Sequence, residues 1–93
     1  MYPRERVVRR LRLRKGDNLL VVEQGSTILG VSADGATGIW LNILATVTPP
    51  KYENRQYICV PHYDNMLETR KGSLIYIGSV YSDSEHLFIF EVE

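Results

Sequence analysis

The chain has 93 residues and a mass of 10.7 kDa, which is room for one small domain and not for two. With 44% apolar and 24% charged residues it falls outside the disordered class, and no apolar run approaches the ~18 residues that cross a bilayer. Eleven basic and eleven acidic residues cancel, which argues against a general nucleic-acid binder, whose domain is normally basic. We therefore expect residues 1–93 to form one soluble, intracellular domain, with residues 1–6 as a flexible basic N-terminus.

Short runs of apolar and β-branched residues recur between clusters of Gly, Pro, Asp and Ser, a pattern typical of β-strands. Seven strands are predicted, in chain order Val7–Leu13, Leu19–Glu23, Thr27–Ser32, Gly38–Val47, Arg55–Val60, Leu74–Tyr81 and Leu87–Val92. Within the first strand, Leu11 and Leu13 share one face. Arg10 and Arg12 share the other face, because side chains alternate along a strand.

Turn signals separate the predicted strands. Gly16-Asp17-Asn18 is a predicted turn, and Asp34-Gly35 has the composition of a tight hairpin. Pro49-Pro50 ends the fourth strand, since neither residue can donate to a sheet. Ser82–Glu85 is a further polar turn, and Asn65–Thr69 could form one helical turn. The prediction is an all-β fold, a small antiparallel sandwich or partly open barrel of about seven strands with little helix.

The two signs of charge are segregated along the chain. Residues 1–15 carry seven basic residues against Glu5 alone, so the rest of the chain has an acidic surplus of six. One interpretation is that these arginines form the solvated face of the first strand, which is the usual role of a charge run. The other is anion capture, because a guanidinium presents a planar fork that matches phosphate oxygens.

Several predicted strands are apolar on both faces. In Gly38–Val47 the odd positions are all apolar, yet Trp40 and Leu44 stand at even positions, and the last two strands behave similarly. A half-buried antiparallel strand alternates apolar with polar residues, so these strands need cover on both faces. We expect a homo-oligomer, a closed dimer by default, that packs the second faces together. The alternative is a tightly curled barrel that absorbs the same side chains.

Catalytic motifs are missing from the sequence, which has no nucleophile elbow, P-loop, zinc-protease motif or dinucleotide-binding glycine pattern. The single cysteine, Cys59, excludes an intramolecular disulfide, and with His62 it supplies only half of a zinc site. Acidic pairs such as Asp83 with Glu85 resemble solvated turn residues rather than a catalytic carboxylate pair. We therefore expect no catalysis, no metal and no cofactor.

A loose cluster of aromatic and basic residues surrounds the end of the fifth predicted strand and one face of the fourth. Its members are Arg55, Tyr57, His62, Tyr63 and Arg70, with Trp40 and Asn42. Aromatic rings stack on nucleobases and arginine supplies phosphate contacts, so these seven residues form the predicted ligand-binding set. The structural alternative makes Trp40 and Tyr57 core or interface anchors and Arg55 a solvated strand end.

The segments QGSTILGVSADGATGIWLNIL and LIYIGSVYSDSEHLFIFEVE resemble a widespread family of short proteins from tailed bacteriophages and prophages. Family members carry a Gly-x-x-Ile-Leu-x-Val strand, a hairpin into a tryptophan-bearing strand and a C-terminal Tyr-Ile-Gly-Thr-Val hairpin. The matching positions are Gly25, Ile28, Leu29, Val31, Trp40, Tyr76, Ile77, Gly78, Val80, Leu87 and Glu93. The chain departs from the family at Val60-Pro61-His62, where members carry Gly-Thr-Gly-His, and at Phe90, where they carry a histidine.

The resemblance implies a phage-encoded protein in the bacterial host cytoplasm. Small phage proteins outside the virion often act against host defence, and two mechanisms fit the predicted features. The leading hypothesis is an oligomer that sequesters a nucleotide-derived immune signal in a pocket between subunits, without turnover. The alternatives are direct binding of a host defence protein, as anti-CRISPR proteins do, and a minor virion or assembly role. Neither a membrane nor a nucleic acid is expected as a partner.

Overall fold

The computed structural model of the chain describes residues 6–34, 38–46, 51–61 and 73–93. They form seven strands, which are β1 Arg6–Leu13, β2 Gly16–Glu23, β3 Thr27–Asp34, β4 Gly38–Thr46, β5 Tyr52–Pro61, β6 Leu74–Ser82 and β7 Glu85–Val92. All seven predicted strands are present. Arg6, which we assigned to a flexible N-terminus, already belongs to β1. Gly35, Pro49-Pro50 and the predicted helical turn Asn65–Thr69 lie outside the described residues.

The strands form two antiparallel sheets. Sheet A has the strand order β1-β4-β3, and sheet B has the order β2-β5-β7-β6. β4 is the centre of sheet A, with Leu11 of β1 on one side of Leu41 and Val31 of β3 on the other. The two sheets pack face to face without closing into a barrel, so the predicted all-β antiparallel architecture is confirmed as a two-sheet fold.

The core between the sheets depends on strict alternation along β4. Its odd-numbered residues from Ile39 to Ala45 are buried, and the even-numbered residues are half-buried on the opposite face. Sheet B contributes chiefly Tyr57, Cys59, Leu87 and Ile89 to this core. Because successive side chains of a strand point to opposite faces, Trp40 and Asn42 point away from the core.

The turn between β1 and β2 differs from the predicted one. β2 already begins at Gly16, so the chain turns at Arg14 and Lys15 rather than at residues 16–18. The buried amide of Asn18 explains the difference. The Arg14 backbone N–H donates to Asn18 Oδ1 at 2.9 Å, and Asn18 Nδ2 donates to the Arg14 carbonyl at 2.9 Å. Asn18 therefore closes the turn from within the strand, while Gly16 takes a φ of +92° that L residues rarely adopt.

Two contacts outside the main core join the sheets. Arg9 of β1 forms an ion pair with Glu23 of β2, with Nε 2.6 Å from the carboxylate oxygen. On the other side, β3 lies against β6 so closely that a Cβ placed on Gly78 would stand 2.9 Å from Val31 Cγ2. The sandwich is thus held together along both pairs of neighbouring sheet edges.

The outer faces of the two sheets differ in character. Arginines and a tryptophan occupy the outer face of sheet A, whereas aromatic side chains of β6 and β7 occupy that of sheet B. The two sheets do not close into a barrel, so the curled-barrel alternative is wrong. On the outer face of sheet B, Tyr76 and Tyr81 are 55% and 70% exposed, whereas Ile58 and Val60 are buried. The homo-oligomer that we expect from this pattern stays a prediction.

Candidate functional site

The outer face of sheet A brings two arginines, a tryptophan and two small polar side chains together. Strand register places Arg12 opposite Trp40 on one side and Ser32 opposite Trp40 on the other. Arg10 lies opposite Asn42, one step further along the same face. We refer to Arg10, Arg12, Ser32, Trp40 and Asn42 as the arginine–tryptophan face.

The indole ring of Trp40 already contacts a cation. Arg10 Cζ lies 4.7 Å from the centroid of the ring, a distance at which a guanidinium is attracted to the aromatic π-system. Arg12 lies over Gly38, where an added Cβ would be 3.4 Å from its Nε and Nη2 atoms. One guanidinium is therefore stacked on the ring and a second is held two residues along the same strand face.

The β3 side of the face consists of small groups. Asn42 Nδ2 donates a hydrogen bond of 3.1 Å to Ser32 Oγ, which orients the amide. Gly30 lies opposite Asn42, and a Cβ placed there would meet no atom within 4 Å. The surface beside the indole is therefore low and open, which leaves space for a planar group.

The positive charge of the face is not neutralised by ion pairs within the described residues. Arg9, on the other side of β1, is paired with Glu23. In contrast, no carboxylate of the described ranges lies within ion-pair distance of Arg10 or Arg12. Asp34 shares this side of sheet A by register, at the hairpin end of β3. The face is cationic, as anion binding requires.

Arg55 lies elsewhere, on the core-facing side of β5. Its Nη2 atom is 2.8 Å from a Glu53 oxygen, and its Nη1 atom is 3.9 Å from a Glu91 oxygen. Burial lowers the pKa of the Arg55 guanidinium, but the interactions with Glu53 and Tyr57 together outweigh this effect, and the pKa is raised overall. The hydrogen bond from Arg55 lowers the pKa of Glu53. A guanidinium balanced by two carboxylates has little charge left for a phosphate.

Tyr57 is a core residue, with no exposed surface. Burial raises the pKa of its hydroxyl to about 12, and the neighbouring Arg55 guanidinium offsets part of this rise. The hydroxyl lies near Arg55 and Glu91, but among the described residues it makes no hydrogen bond of good geometry. The ring is buried within a single copy of the chain. This position matches the alternative in which Tyr57 is a core anchor rather than a ligand-binding residue.

The seven predicted ligand-binding residues therefore do not share one surface within a single copy. Trp40 and Asn42 are neighbours on the outer face of sheet A, and Arg55 and Tyr57 are neighbours on the core side of sheet B. The remaining three lie outside the described residues, namely His62, Tyr63 and Arg70.

Three residues of the face, Arg10, Arg12 and Ser32, were left out of the predicted set. The alternation of Arg10 and Arg12 indicated an exposed cationic strand face, and anion capture was one interpretation of it. Which strand would pair with β1 was not visible in the sequence. Only the pairing of β1 with β4 places these guanidiniums beside Trp40.

Other reactive groups are few in the described structure. Cys59 is buried, and burial raises the pKa of its thiol to about 11, so the thiol stays protonated at neutral pH. No group of three or more His, Cys, Asp or Glu side chains in the described ranges is placed to hold a metal ion. Those ranges also contain no helix with the length and apolar character needed to span a membrane. The groups that the arginine–tryptophan face offers are suited to stacking and anion binding.

Comparison of the chain with protein-family models, curated proteins and solved structures finds no match. The resemblance to phage proteins therefore rests on the matching sequence positions and stays a prediction. What the protein binds has to be inferred from the geometry of the arginine–tryptophan face.

Proposed function

We propose that this protein binds a nucleotide-like ligand, without catalysis, on the arginine–tryptophan face of sheet A. One observation carries the proposal, namely the Arg10 guanidinium 4.7 Å from the centre of the Trp40 ring with Arg12 on the same face. An aromatic ring stacks on a nucleobase for about 1–3 kcal/mol, and a guanidinium binds phosphate oxygens through two parallel N–H donors. A nucleotide carries a base and a phosphate only one sugar apart, so it can use both contacts at once.

The charge of the face favours a ligand with more than one phosphate. Arg10 and Arg12 have no described carboxylate within ion-pair distance. Each can therefore bind one phosphate without first breaking an ion pair of the described residues. In the phage setting that the resemblance implies, such a ligand is a nucleotide-derived immune signal of the bacterial host. Holding it without turnover lowers its free concentration, which is how sequestration would counter the defence.

A melting screen with cyclic dinucleotides, cyclic ADP-ribose isomers and ADP-ribose adducts tests the proposal. A ligand at 100 times its Kd stabilises the fold by about 2.7 kcal/mol, which raises the Tm of a domain of this size by roughly 10–20 °C. Arg10→Gln is expected to weaken binding about tenfold or more, because it removes the cation stacked on Trp40. Arg14→Gln removes an exposed arginine beyond the end of β1 and is the matched control, with an unchanged Kd.

Three outcomes decide the matter. Ligand recovered chemically unchanged after long incubation separates binding from turnover. Absence of any Tm shift at millimolar ligand would remove the proposal. A short single-stranded oligonucleotide belongs in the same screen, and tighter binding of it than of every free nucleotide would contradict sequestration of a small signal.

A further inference from the structure

Three of the four sheet edges are protected against pairing with another chain. Sheet A ends in β1 and β3, and sheet B ends in β2 and β6. β3 and β6 each have a register shift, and they lie so close together that a Cβ on Gly78 would stand 2.9 Å from Val31 Cγ2. β1 carries four arginines and no acid, so two copies of it would repel each other. Bulges, like charges and a covering strand are the usual devices that keep a sheet edge from pairing.

The fourth edge, β2, has none of these devices. It pairs with β5 through all eight of its residues without a register shift, and no described strand pairs with its other side. Its sequence, GDNLLVVE, contains no proline, lysine or arginine. Leu19 and Val21 are 70% and 62% exposed, so their side chains are open to solvent. A regular, apolar and open edge of this length is a template for one more strand.

A groove follows the open side of β2. Its volume is about 350 Å³, and it is lined by residues 17–20 of β2 and by three basic residues, Arg12, Arg14 and Lys15. Leu19 and Leu20 point to opposite faces of sheet B, so a groove that both residues line runs along the edge of the strand. Asp17 is the one acid among the described residues that line it. The space beside β2 therefore suits a strand end that carries a negative charge.

A second copy of β2 meets this edge with compatible residues. A two-fold axis makes the two strands antiparallel, and with the axis at Leu19 this residue lies opposite its own copy. Asp17 then lies opposite the partner's Val21, and Lys15 lies opposite the partner's Glu23, which has the opposite charge. Moving the axis one residue along the strand would set Asp17 against the partner's Glu23. Like charges directly opposite each other destabilise a strand pair, so charge selects the axis at Leu19.

We infer that two copies of this chain join through their β2 strands, antiparallel about a two-fold axis at Leu19. The two four-stranded B sheets then form one continuous sheet, and the acidic end of each β2 enters the basic groove of the other copy. The arginine–tryptophan face lies on the outer side of sheet A and takes no part in this pairing. Each copy therefore keeps its own ligand site, and the dimer holds whether or not the proposed ligand is correct.

Sedimentation equilibrium and light scattering between 1 and 100 µM test the inference on the full chain. The expected mass at 100 µM is twice 10.7 kDa. Leu19→Lys places two like charges at the two-fold axis and is expected to raise the dimer Kd about tenfold or more. Val8→Lys is the matched control, because Val8 is 64% exposed on the edge strand β1, and it should leave the Kd unchanged.

Crosslinking tests the position of the axis independently of that variant. Leu19→Cys brings two exposed thiols together across the axis, so a short thiol-to-thiol reagent should join the copies rapidly. Val8→Cys is the control and should crosslink far more slowly. The native Cys59 is buried and is common to both variants. Equal crosslinking of the two variants would overturn the pairing at Leu19.

Circular dichroism and Tm measurements show whether Leu19→Lys is folded, and the crosslinking result decides if it is not. A wild-type particle of 10.7 kDa at 100 µM would overturn the inference and leave the β2 edge to a strand of another protein. A dimer weakened by Val8→Lys but not by Leu19→Lys would overturn it as well, because the interface would then lie on β1. Monomers that still bind a nucleotide would leave the proposed function standing, so the two failures are distinguishable.

Discussion

At Tyr57 the chain buries a phenol whose hydroxyl lies near Arg55 and Glu91 but makes no hydrogen bond of good geometry with the described residues. A buried group without a partner contributes a desolvation cost instead of a stabilising bond. The ring itself is an anchor of the core, next to Cys59 and Leu87. At the scale of the single residue, Tyr57 therefore stabilises the fold through its ring and not through its hydroxyl.

Tyr57→Phe removes the hydroxyl and keeps the ring, so at pH 7 we expect a free energy of unfolding within about 1 kcal/mol of wild type, or slightly higher. Burial raises the pKa of Tyr57 from 10.0 to about 12, so the unfolded chain loses this proton first. The protonated, buried phenol therefore contributes fully to the free energy of unfolding below pH 10. This contribution, about 1–3 kcal/mol, is lost as the pH rises towards 12.

Urea unfolding at pH 7, 9, 10.5 and 11.5 measures this effect. The variant should lose less stability than wild type above pH 10. Tyr52→Phe removes an exposed hydroxyl and controls for loss of a hydroxyl as such. Parallel curves for wild type and Tyr57→Phe over the whole range would contradict the burial argument.

At the scale of elements, the two sheets meet where β3 lies against β6. Gly78 faces Val31 there, and β6 has a register shift between Tyr76 and Gly78 that coincides with the contact. A glycine at this position lets the two strands approach, because it has no side chain to hold them apart. Val31 itself packs against the core.

Gly78→Ala places a Cβ 2.9 Å from Val31 Cγ2, so β3 and β6 must separate slightly. We expect a loss of about 1 kcal/mol, because overpacking outweighs the entropy gained by replacing a strand glycine. In a Val31→Ala background the obstructing methyl is absent and the cost should disappear. A double-mutant cycle of urea unfolding measures this coupling, and an equal cost in both backgrounds would show that the contact is not the cause.

At the scale of the whole molecule, ion pairs connect segments that are not neighbours in a sheet. Arg9 and Glu23 link sheet A to sheet B, and the Glu23 side chain is only 11% exposed. Lys15 and Glu85 make a second pair at 3.0 Å, in a more solvated setting. Water and salt screen an exposed pair more strongly, so the two pairs should differ in their contribution to stability.

Glu23→Gln is expected to lower the free energy of unfolding by about 1–2 kcal/mol, because it leaves Arg9 without its partner at the junction of the sheets. Glu85→Gln is the matched control and should cost less than about 0.5 kcal/mol. Chemical unfolding at low and at 1 M salt measures both. Equal costs for the two variants would mean that the Arg9–Glu23 pair does not brace the sandwich.

Local patterns were sufficient to predict the seven strands, the all-β class and the shared face of Arg10 and Arg12. Strand periodicity is a local property, because each side chain alternates with its immediate neighbour. The same alternation placed Trp40 and Asn42 together. Alternation did not show that Arg55 and Tyr57 face the core, because residues 57–60 are all apolar. Such a run does not reveal which of its two sides is buried.

The neighbours of each strand were decided only by the tertiary structure. β1 lies beside β4, thirty residues away, and not beside β2, to which a two-residue turn connects it. Strand pairing between distant segments depends on how two whole sheets bury their apolar faces, and no short stretch of chain contains that information. The stacking of Arg10 on Trp40 follows from this pairing.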